Sequence, residues 1–334
     1  MVPARYSAAR GAGFLLAAAL LFSTTLPAEE ADMRIATLSD GLSQLQFDCE
    51  KGVYSLRRAS DGRIFVWRSA LRVGEWDSRR GYRFTVTREQ QPEGGPSLRI
   101  VGRRVGAPAL VVVFTLRPFL LIRAGIINTT TQPIRLRELH PVWARAAQGG
   151  GLFVGPDPEK DHRALTGEGD FVCPALSRRI DAESANLLSV TWLDEPDVET
   201  LVLGGLSTFD FQHRAAVEYT RATCLKKDGR KSIDGWVRVF DRTGRRVDPD
   251  EEYLADPVYV DCLERDPYHS LEAYARRVAE AMNVRLANYN DYIPECLWYV
   301  WAWQRGGRMA NTSTGAVAEA ARMIDSGIAR YAPP

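Results

Sequence analysis

The chain has 334 residues, of which 45% are hydrophobic and 25% charged, with a formal net charge of +1. That is the composition of an ordinary globular protein of about two domains, large enough to bury a core without disulfide staples. No basic block stands out, which argues against a nucleic-acid footprint.

The first residues carry a targeting pattern. Arg5 and Arg10 precede the apolar run Phe14–Phe22, and Leu26-Pro27-Ala28 follows as a small-residue cleavage site. These are the three parts of a secretory signal peptide, so residues 1–28 are expected to be removed and the mature protein exported to the periplasm or outside the cell. The run is short for a bilayer span, and a retained anchor is the alternative. After cleavage no membrane association is expected. Cysteines 49, 173, 224, 262 and 296 are widely scattered and form no CxxC pair. They allow at most two bridges and suggest no metal.

Residues 33–265 read as strand after strand. In Gly81–Thr87, Tyr82, Phe84 and Val86 alternate with Arg83, Thr85 and Thr87, the pattern of a half-buried antiparallel strand. Pro133–Leu139 repeats it. Ala109–Leu116 and Phe119–Ile127 are nearly continuous apolar runs, as in strands covered on both faces. Leu187–Leu193, Thr200–Leu206, Ala215–Arg221, Gly235–Phe240 and Pro257–Cys262 complete the series. Asp40-Gly41, Asp61-Gly62, Gly94-Gly95, Asp228-Gly229 and Thr243-Gly244 supply turns. Closely spaced strands without a helical period between them predict a mainly β fold, a large β-sandwich. Gln148–Gly169, rich in glycine and proline, has no period of its own and reads as a long functional or mobile loop.

The period changes at Asp266-Pro267. Ser270 is a candidate N-cap, and Leu271, Tyr274, Ala275, Val278 and Met282 fall on one face of an amphipathic helix. Pro294–Trp303, PECLWYVWAW, then reads as a short aromatic strand. A polar loop and a second amphipathic helix, Gly315–Ser326, follow it. Strand, helix and returning strand make one βα unit. A complete eight-unit barrel takes about 250 residues. Residues 266–334 are therefore expected to hold a linker helix and the truncated start of a (β/α)8 barrel.

Three segments carry a resemblance. Leu121–Leu139, LIRAGIINTTTQPIRLREL, Leu201–Thr208, LVLGGLST, and Tyr274–Trp303, which contains Pro-Glu-Cys-Leu-Trp-Tyr at Pro294–Tyr299, stand in the order found in α-galactosidase-type enzymes of glycoside hydrolase family 36 and their raffinose-synthase-like relatives. The chain resembles the N-terminal part of that family, a β-supersandwich leading into the first barrel strand. Glu295 and Leu297 depart from the family's usual Trp and Ser or Thr. The resemblance implies a carbohydrate partner, a galactoside or related glycan, and places Trp298 beside the sugar. Trp301 and Trp303, on the other face of the same strand, are further candidates for stacking on sugar rings. The alternative for all three is packing inside a barrel or at its seam.

Retaining glycosidases need two carboxyl groups across the scissile bond. In the family these come from later barrel strands, so no catalytic residue is assigned and the chain is expected to be inactive alone. Asp194-Glu195-Pro196-Asp197 and Asp248–Glu252 read as solvated turns. No HExxH, GxSxG or P-loop occurs, so no cofactor or metal is expected. An uncovered barrel unit would favour self-association. The other reading is a non-catalytic exported module that binds polysaccharide with its sandwich face or with the Gln148–Gly169 loop.

Overall fold

A computed structural model describes residues 34–90, 94–155, 162–166, 181–192, 198–219 and 224–284. The signal segment, the Asp194–Asp197 cluster, the aromatic strand with Trp298, Trp301 and Trp303, and the helix expected at Gly315–Ser326 all lie outside these residues.

The described residues are mainly β, arranged in antiparallel sheets of nine, six and five strands, a two-stranded hairpin and one α-helix. Side chains from the three large sheets share one core. Leu98, Ile100, Leu110, Val112, Phe114, Leu201 and Leu203 of the nine-stranded sheet meet Leu45, Phe47, Leu56 and Phe65 of the five-stranded sheet. Leu139, Val142, Val217, Val237 and Val239 of the six-stranded sheet join them. Each such side chain contributes about 1.5–3 kcal/mol when fully buried.

The expected strands are present, with informative differences at their ends. Ala109–Leu116 is buried at every position. Leu110, Val112, Phe114 and Leu116 enter the shared core, while Ala109 and Val111 pack on the opposite face with Val101, Ile127 and Leu254. The strand expected to end at Leu139 runs on to Ala144, passing Pro141 at a register shift between Leu139 and Val142. A bulge accommodates the missing proline N–H, and the Pro141 carbonyl accepts from the buried Tyr54 hydroxyl at 2.9 Å.

Thr243-Gly244 does not end a strand as expected. One strand, Asp234–Val247, continues through it, and its partner Ile134–Ala144 skips from Leu136 to Glu138 while this strand advances from Arg245 to Phe240. Asp241 braces the extra residues by accepting from the Thr243 amide at 2.9 Å. Gly244 has φ 77°, and a Cβ there would lie 2.7 Å from side-chain carbons of Arg135 and Arg137. Glycine marks a wide bulge here rather than a turn. The glycine run of the Gln148–Gly169 loop is likewise built into the fold. Ala146–Gln148 forms a 3-10 turn, and Gly151–Leu152 is an edge strand against Val66 and Trp67.

The turn at Asn128 joins the nine-stranded sheet to the six-stranded one. Asn128 is fully buried, and its side-chain amide donates to the carbonyls of Gln132 and Val247, both at 2.9 Å. The asparagine of the first resembling segment therefore fixes a crossing between layers. The other two segments meet in space. Helix Pro267–Ala281 lies over the strand Glu199–Gly205, and the Tyr274 hydroxyl donates to the Gly205 carbonyl at 2.5 Å. A Cβ on Gly204 would come within 2.8 Å of the Tyr274 ring. Phe119, Val202 and Tyr259 complete this small second core. The strand Glu199–Gly205 is thus buried at every residue, by the main core on one face and this patch on the other.

Ser270 is not the helix cap. Asp266 is, its carboxylate accepting from the amides of Tyr268 at 2.8 Å and His269 at 3.1 Å, with Pro267 in the first turn. Ser270 instead sits buried, its hydroxyl donating to the Pro267 carbonyl. Ala275, placed by periodicity on the packed face, is exposed.

A charge cluster lies between the five- and nine-stranded sheets, sealed at Arg58 and Glu199 and partly exposed at Asp61 and Arg63. Glu199, fully buried, accepts from both terminal nitrogens of Arg58 at 2.8 Å and also from Arg63. Asp61 closes the group against Arg58. Burial opposes the Arg58 charge, but the hydrogen bonds from Glu199 and Asp61 outweigh it and raise its pKa. Burial also works against the Asp61 carboxylate, yet Arg58 and the Arg63 amide bring its pKa down to about 2.

Candidate functional site

The two-residue period of a strand sorts Asp234–Val247 into two faces. Val237 and Val239 turn into the core; Trp236, Arg238 and Phe240 turn outward. On the neighbouring strand Gln212–Glu218, Ala215 and Val217 go inward, leaving Arg214, Ala216 and Glu218 on the outer face. On the other side Val142 and Ala144 go inward and Trp143 stands outward, directly opposite Trp236 in the register. The result is a cross-strand indole pair on the outer face of the six-stranded sheet, with ring centroids 6.0 Å apart and planes inclined at 49°. Both tryptophans are half-buried.

Arginines interleave with these rings. Arg72 lies 4.3 Å over Trp143, and Arg145 stands 5.5 Å from Trp143 and 5.0 Å from Trp236. Arg238 covers Phe240 at 4.7 Å. Acidic partners fix these guanidinium groups. Arg145 Nε donates to Asp234 at 3.1 Å, and its terminal nitrogen reaches Glu218 at 3.5 Å. Asp234 also accepts from the Ala146 amide at 2.7 Å, which ties it to the 3-10 turn. Arg238 spans Glu138 at 3.8 Å and Glu183 at 3.7 Å. The Trp143 indole N–H donates to Gln148 at 2.7 Å, and Gln148 also accepts from Arg79 at 2.5 Å.

His140 completes the face. Displaced by the bulge at Pro141, its ring meets the Trp143 edge at 4.8 Å, and its Nε2 lies 3.4 Å from Glu138 Oε1. Burial, then the nearby charges of Arg72 and Arg238, push its pKa down to about 3. The imidazole is therefore neutral at ordinary pH. Its contact with Glu138 is that of a neutral ring beside a carboxylate, not of an ion pair.

The arrangement offers flat apolar indole surfaces ringed by planar hydrogen-bonding groups of both signs. Indole stacks on the C–H face of a pyranose, while carboxylate, guanidinium, amide and imidazole groups bond vicinal hydroxyls. Among the described residues no cluster of three or more His, Cys, Asp or Glu side chains has metal-binding geometry.

Of the segments singled out from sequence, the Gln148–Gly169 loop contributes Gln148 to this site. Trp298, Trp301 and Trp303 lie outside the described residues. Asp248–Glu252 is a turn leading into a short strand, as expected: Asp250 has φ 63°, and the Asp248 amide donates to Glu251. The outer-face residues were missed for two reasons. The Trp236, Arg238 and Phe240 alternation was visible in Gly235–Phe240, but nothing in one strand says which face is covered. Trp143 lay beyond the predicted end of its strand, past a proline whose bulge no local pattern announces.

No family model and no curated relative matches the chain. Solved structures give distant similarities. A TPR-domain containing protein from Parabacteroides distasonis is 9% identical over 68% of this chain and 46% of its own, with a TM-score of 0.43. A galactose mutarotase-like protein from Lactobacillus casei is 11% identical over 68% of this chain and 99% of its own, with a TM-score of 0.42. The alpha-galactosidase from Lactobacillus brevis is 7% identical over 74% of this chain and 42% of its own, also with a TM-score of 0.42. The chain thus spans less than half the length of the first and third of these proteins.

Proposed function

We propose that this protein is a carbohydrate-binding β-sandwich that holds a glycan on the outer face of its six-stranded sheet. The observation carrying the proposal is the Trp143–Trp236 pair, interleaved with Arg72 and Arg145 and bordered by Gln148, Asp234, Glu218, Glu138 and His140. Two half-buried indoles side by side on an open sheet provide stacking area, and the polar groups around them are already oriented by one another. Such preorganisation lowers the ordering cost of binding.

The resembling segments add to this reading in a limited way. Asn128, Gly204, Gly205 and Tyr274 hold the layers together, so they support kinship of architecture with the α-galactosidase type rather than its chemistry. From that kinship come the galactoside class of ligand and Trp298, Trp301 and Trp303 as a further sugar-contacting surface, while export is read from the targeting pattern of residues 1–28. The outer face itself is read as a binding surface, and no turnover of aryl galactosides is expected from it.

Calorimetric titration of the protein with neutral and acidic galactose-based oligosaccharides tests the proposal. Binding that falls at least tenfold in Trp143→Ala and Trp236→Ala, with both variants still cooperatively folded, supports it. Binding indifferent to both substitutions, or absent throughout the panel, overturns it. Turnover abolished by a point mutation on this face would replace binding with catalysis.

A further inference from the structure

The short run Lys226–Lys231, KKDGRK, is the densest basic stretch beside the tryptophan face, and the fold turns it back on itself. Lys226–Lys227 and Arg230–Lys231 pair as a hairpin around Asp228-Gly229, both turn residues having positive φ, 52° and 74°. This is the turn geometry that matches strand twist. Four cations and one acid therefore stand together on two short strands. The hairpin leads directly into Asp234–Val247, at the end that carries Trp236.

The hairpin does not stand alone. Lys227 Nζ lies 3.1 Å over the Trp67 ring, and the Arg68 guanidinium approaches the same indole at 5.5 Å. Two cations thus lie against one indole. Burial, opposed by the pull of Asp228 and aided by the smaller repulsion of Arg68, lowers the Lys227 pKa. The nearby carboxylates of Asp61 and Glu199 are engaged by Arg58 and Arg63. Arg68 is also held at φ 47°, a conformation costly for a side chain of this size, with its amide bonded to Ser55 Oγ at 3.0 Å.

This second aromatic patch adjoins the first. The Trp143 amide donates to Ser69 Oγ at 2.9 Å, so Trp67-Arg68-Ser69 runs beside Trp143-Ala144-Arg145. Gly150 seals the seam: a Cβ there would lie 2.7 Å from the Arg68 carbonyl and 3.4 Å from the Arg145 amide. One surface therefore passes from the balanced charges around Trp143 and Trp236 to the cation-rich ground around Trp67.

We propose that the glycan recognised by this surface is acidic, with a carboxylate or sulfate group held by Lys227 and Arg68 beside Trp67 while neighbouring rings lie on Trp143 and Trp236. An anion beside Lys227 and Arg68 is matched by both cations and by the hairpin, whereas a neutral sugar engages neither charge. The inference rests on the carbohydrate-binding reading and adds the charge of the ligand to it.

The probe pair is oligogalacturonate and its fully methyl-esterified form, which share a backbone and differ in the charge and methyl cap of each carboxyl, titrated against the full chain. The acid is expected to bind at least tenfold more tightly than the ester. Its affinity should fall as sodium chloride rises from 50 to about 300 mM, since exposed charges are screened over roughly a Debye length. Lys227→Gln and Arg68→Gln should each bring the acid towards the ester's affinity, whereas Lys51→Gln, on an exposed pair with Asp48 elsewhere, should not. Far-ultraviolet spectra and melting curves identify any variant that fails to fold. In that event Lys227→Glu, which reverses the charge at the hairpin, must still abolish the preference. Equal affinity for acid and ester overturns the inference while leaving glycan binding intact. Failure of both probes, with neutral galacto-oligosaccharides still binding, likewise removes only the acidic ligand. Failure of every glycan removes the underlying reading as well.

Discussion

Two regions of this molecule use the same chemistry to different ends. Between the five- and nine-stranded sheets, Arg58 and Glu199 form a pair closed to water, with Arg63 and Asp61 at its partly exposed rim. On the outer face of the six-stranded sheet, Arg145, Arg238, Asp234, Glu138 and Glu183 pair at longer distances and remain partly exposed. Sealed charges must satisfy one another, because a lone buried charge costs several kcal/mol. Exposed pairs are worth little as stability, typically under about 1 kcal/mol. What the second group gains is orientation: each guanidinium is held flat against or between aromatic rings. Residue type alone does not separate a structural arginine from a ligand-binding one. Access to water does.

The sharpest way to break this comparison is at Glu199. Glu199→Ala should leave Arg58 and Arg63 facing each other without their shared carboxylate, destabilising the fold by about 3–5 kcal/mol in urea unfolding. Removal of an outer-face acid, as in Glu183→Ala, should cost under about 1 kcal/mol in the same measurement. Similar losses from the two variants would show that the inner cluster is not sealed as described.

Acid separates the regions through histidine. His140 on the outer face has its pKa lowered to about 3, and His213, buried against Gly205, is lowered too, burial being the main cause in both. An unfolded chain takes up these protons near pH 6.5, before the folded one does, so stability falls as pH drops below that value. The lowered carboxylates Asp61 and Asp77 add their own loss only below about pH 4. Asp261, raised by burial, has the opposite sign and offsets part of the fall. Between pH 7 and 4.5 the His140 contribution amounts to about 2–3 kcal/mol. Unfolding midpoints measured at both values should therefore lie closer together in His140→Gln than in the parent. An unchanged separation would mean that His140 protonates freely in the folded state.

At the tryptophan pair the comparison turns from stability to binding. Trp143→Ala should cost the fold about 1 kcal/mol, the worth of a cross-strand aromatic pair, because the indole lies outside the main core. Its effect on glycan affinity should be larger, on the order of 1.5–3 kcal/mol, a loss of roughly ten- to a hundredfold. A ratio reversed in favour of stability would return this face to an architectural role.

Much of the sandwich was legible because the cause of each strand is local. Tyr82, Phe84 and Val86 alternate with polar residues and do face inward, and the unbroken Ala109–Leu116 run does lie buried on both sides. Asp228-Gly229 names its own turn. What escaped notice was set by distant partners. Gly244 looks like a turn until Arg135 and Arg137 are placed across from it, and the Gly149–Gly151 run looks mobile until the Arg68 carbonyl and Ser232 fill the space beside it. The candidate site belongs to this second kind. Trp143 and Trp236 are 93 positions apart in the numbering, and only the register of two strands makes them neighbours.

The smallest effect tests the same distinction at the helix start, where Ser270 is the residue that local pattern favours and Asp266 is the one that caps. Asp266 accepts two amide hydrogens at the N-terminus, and those bonds hold its pKa below the ordinary carboxylate value. Asp266→Ala should lower the unfolding midpoint slightly and expose the first helical turn to faster amide hydrogen exchange. Ser270 bonds only the Pro267 carbonyl, so Ser270→Ala leaves both capping bonds intact and should leave exchange at Tyr268 and His269 unchanged. Because Tyr274 anchors this helix over Gly204 and Gly205, loosening the first turn without moving Tyr274 would show that docking holds the helix, and capping only trims its end.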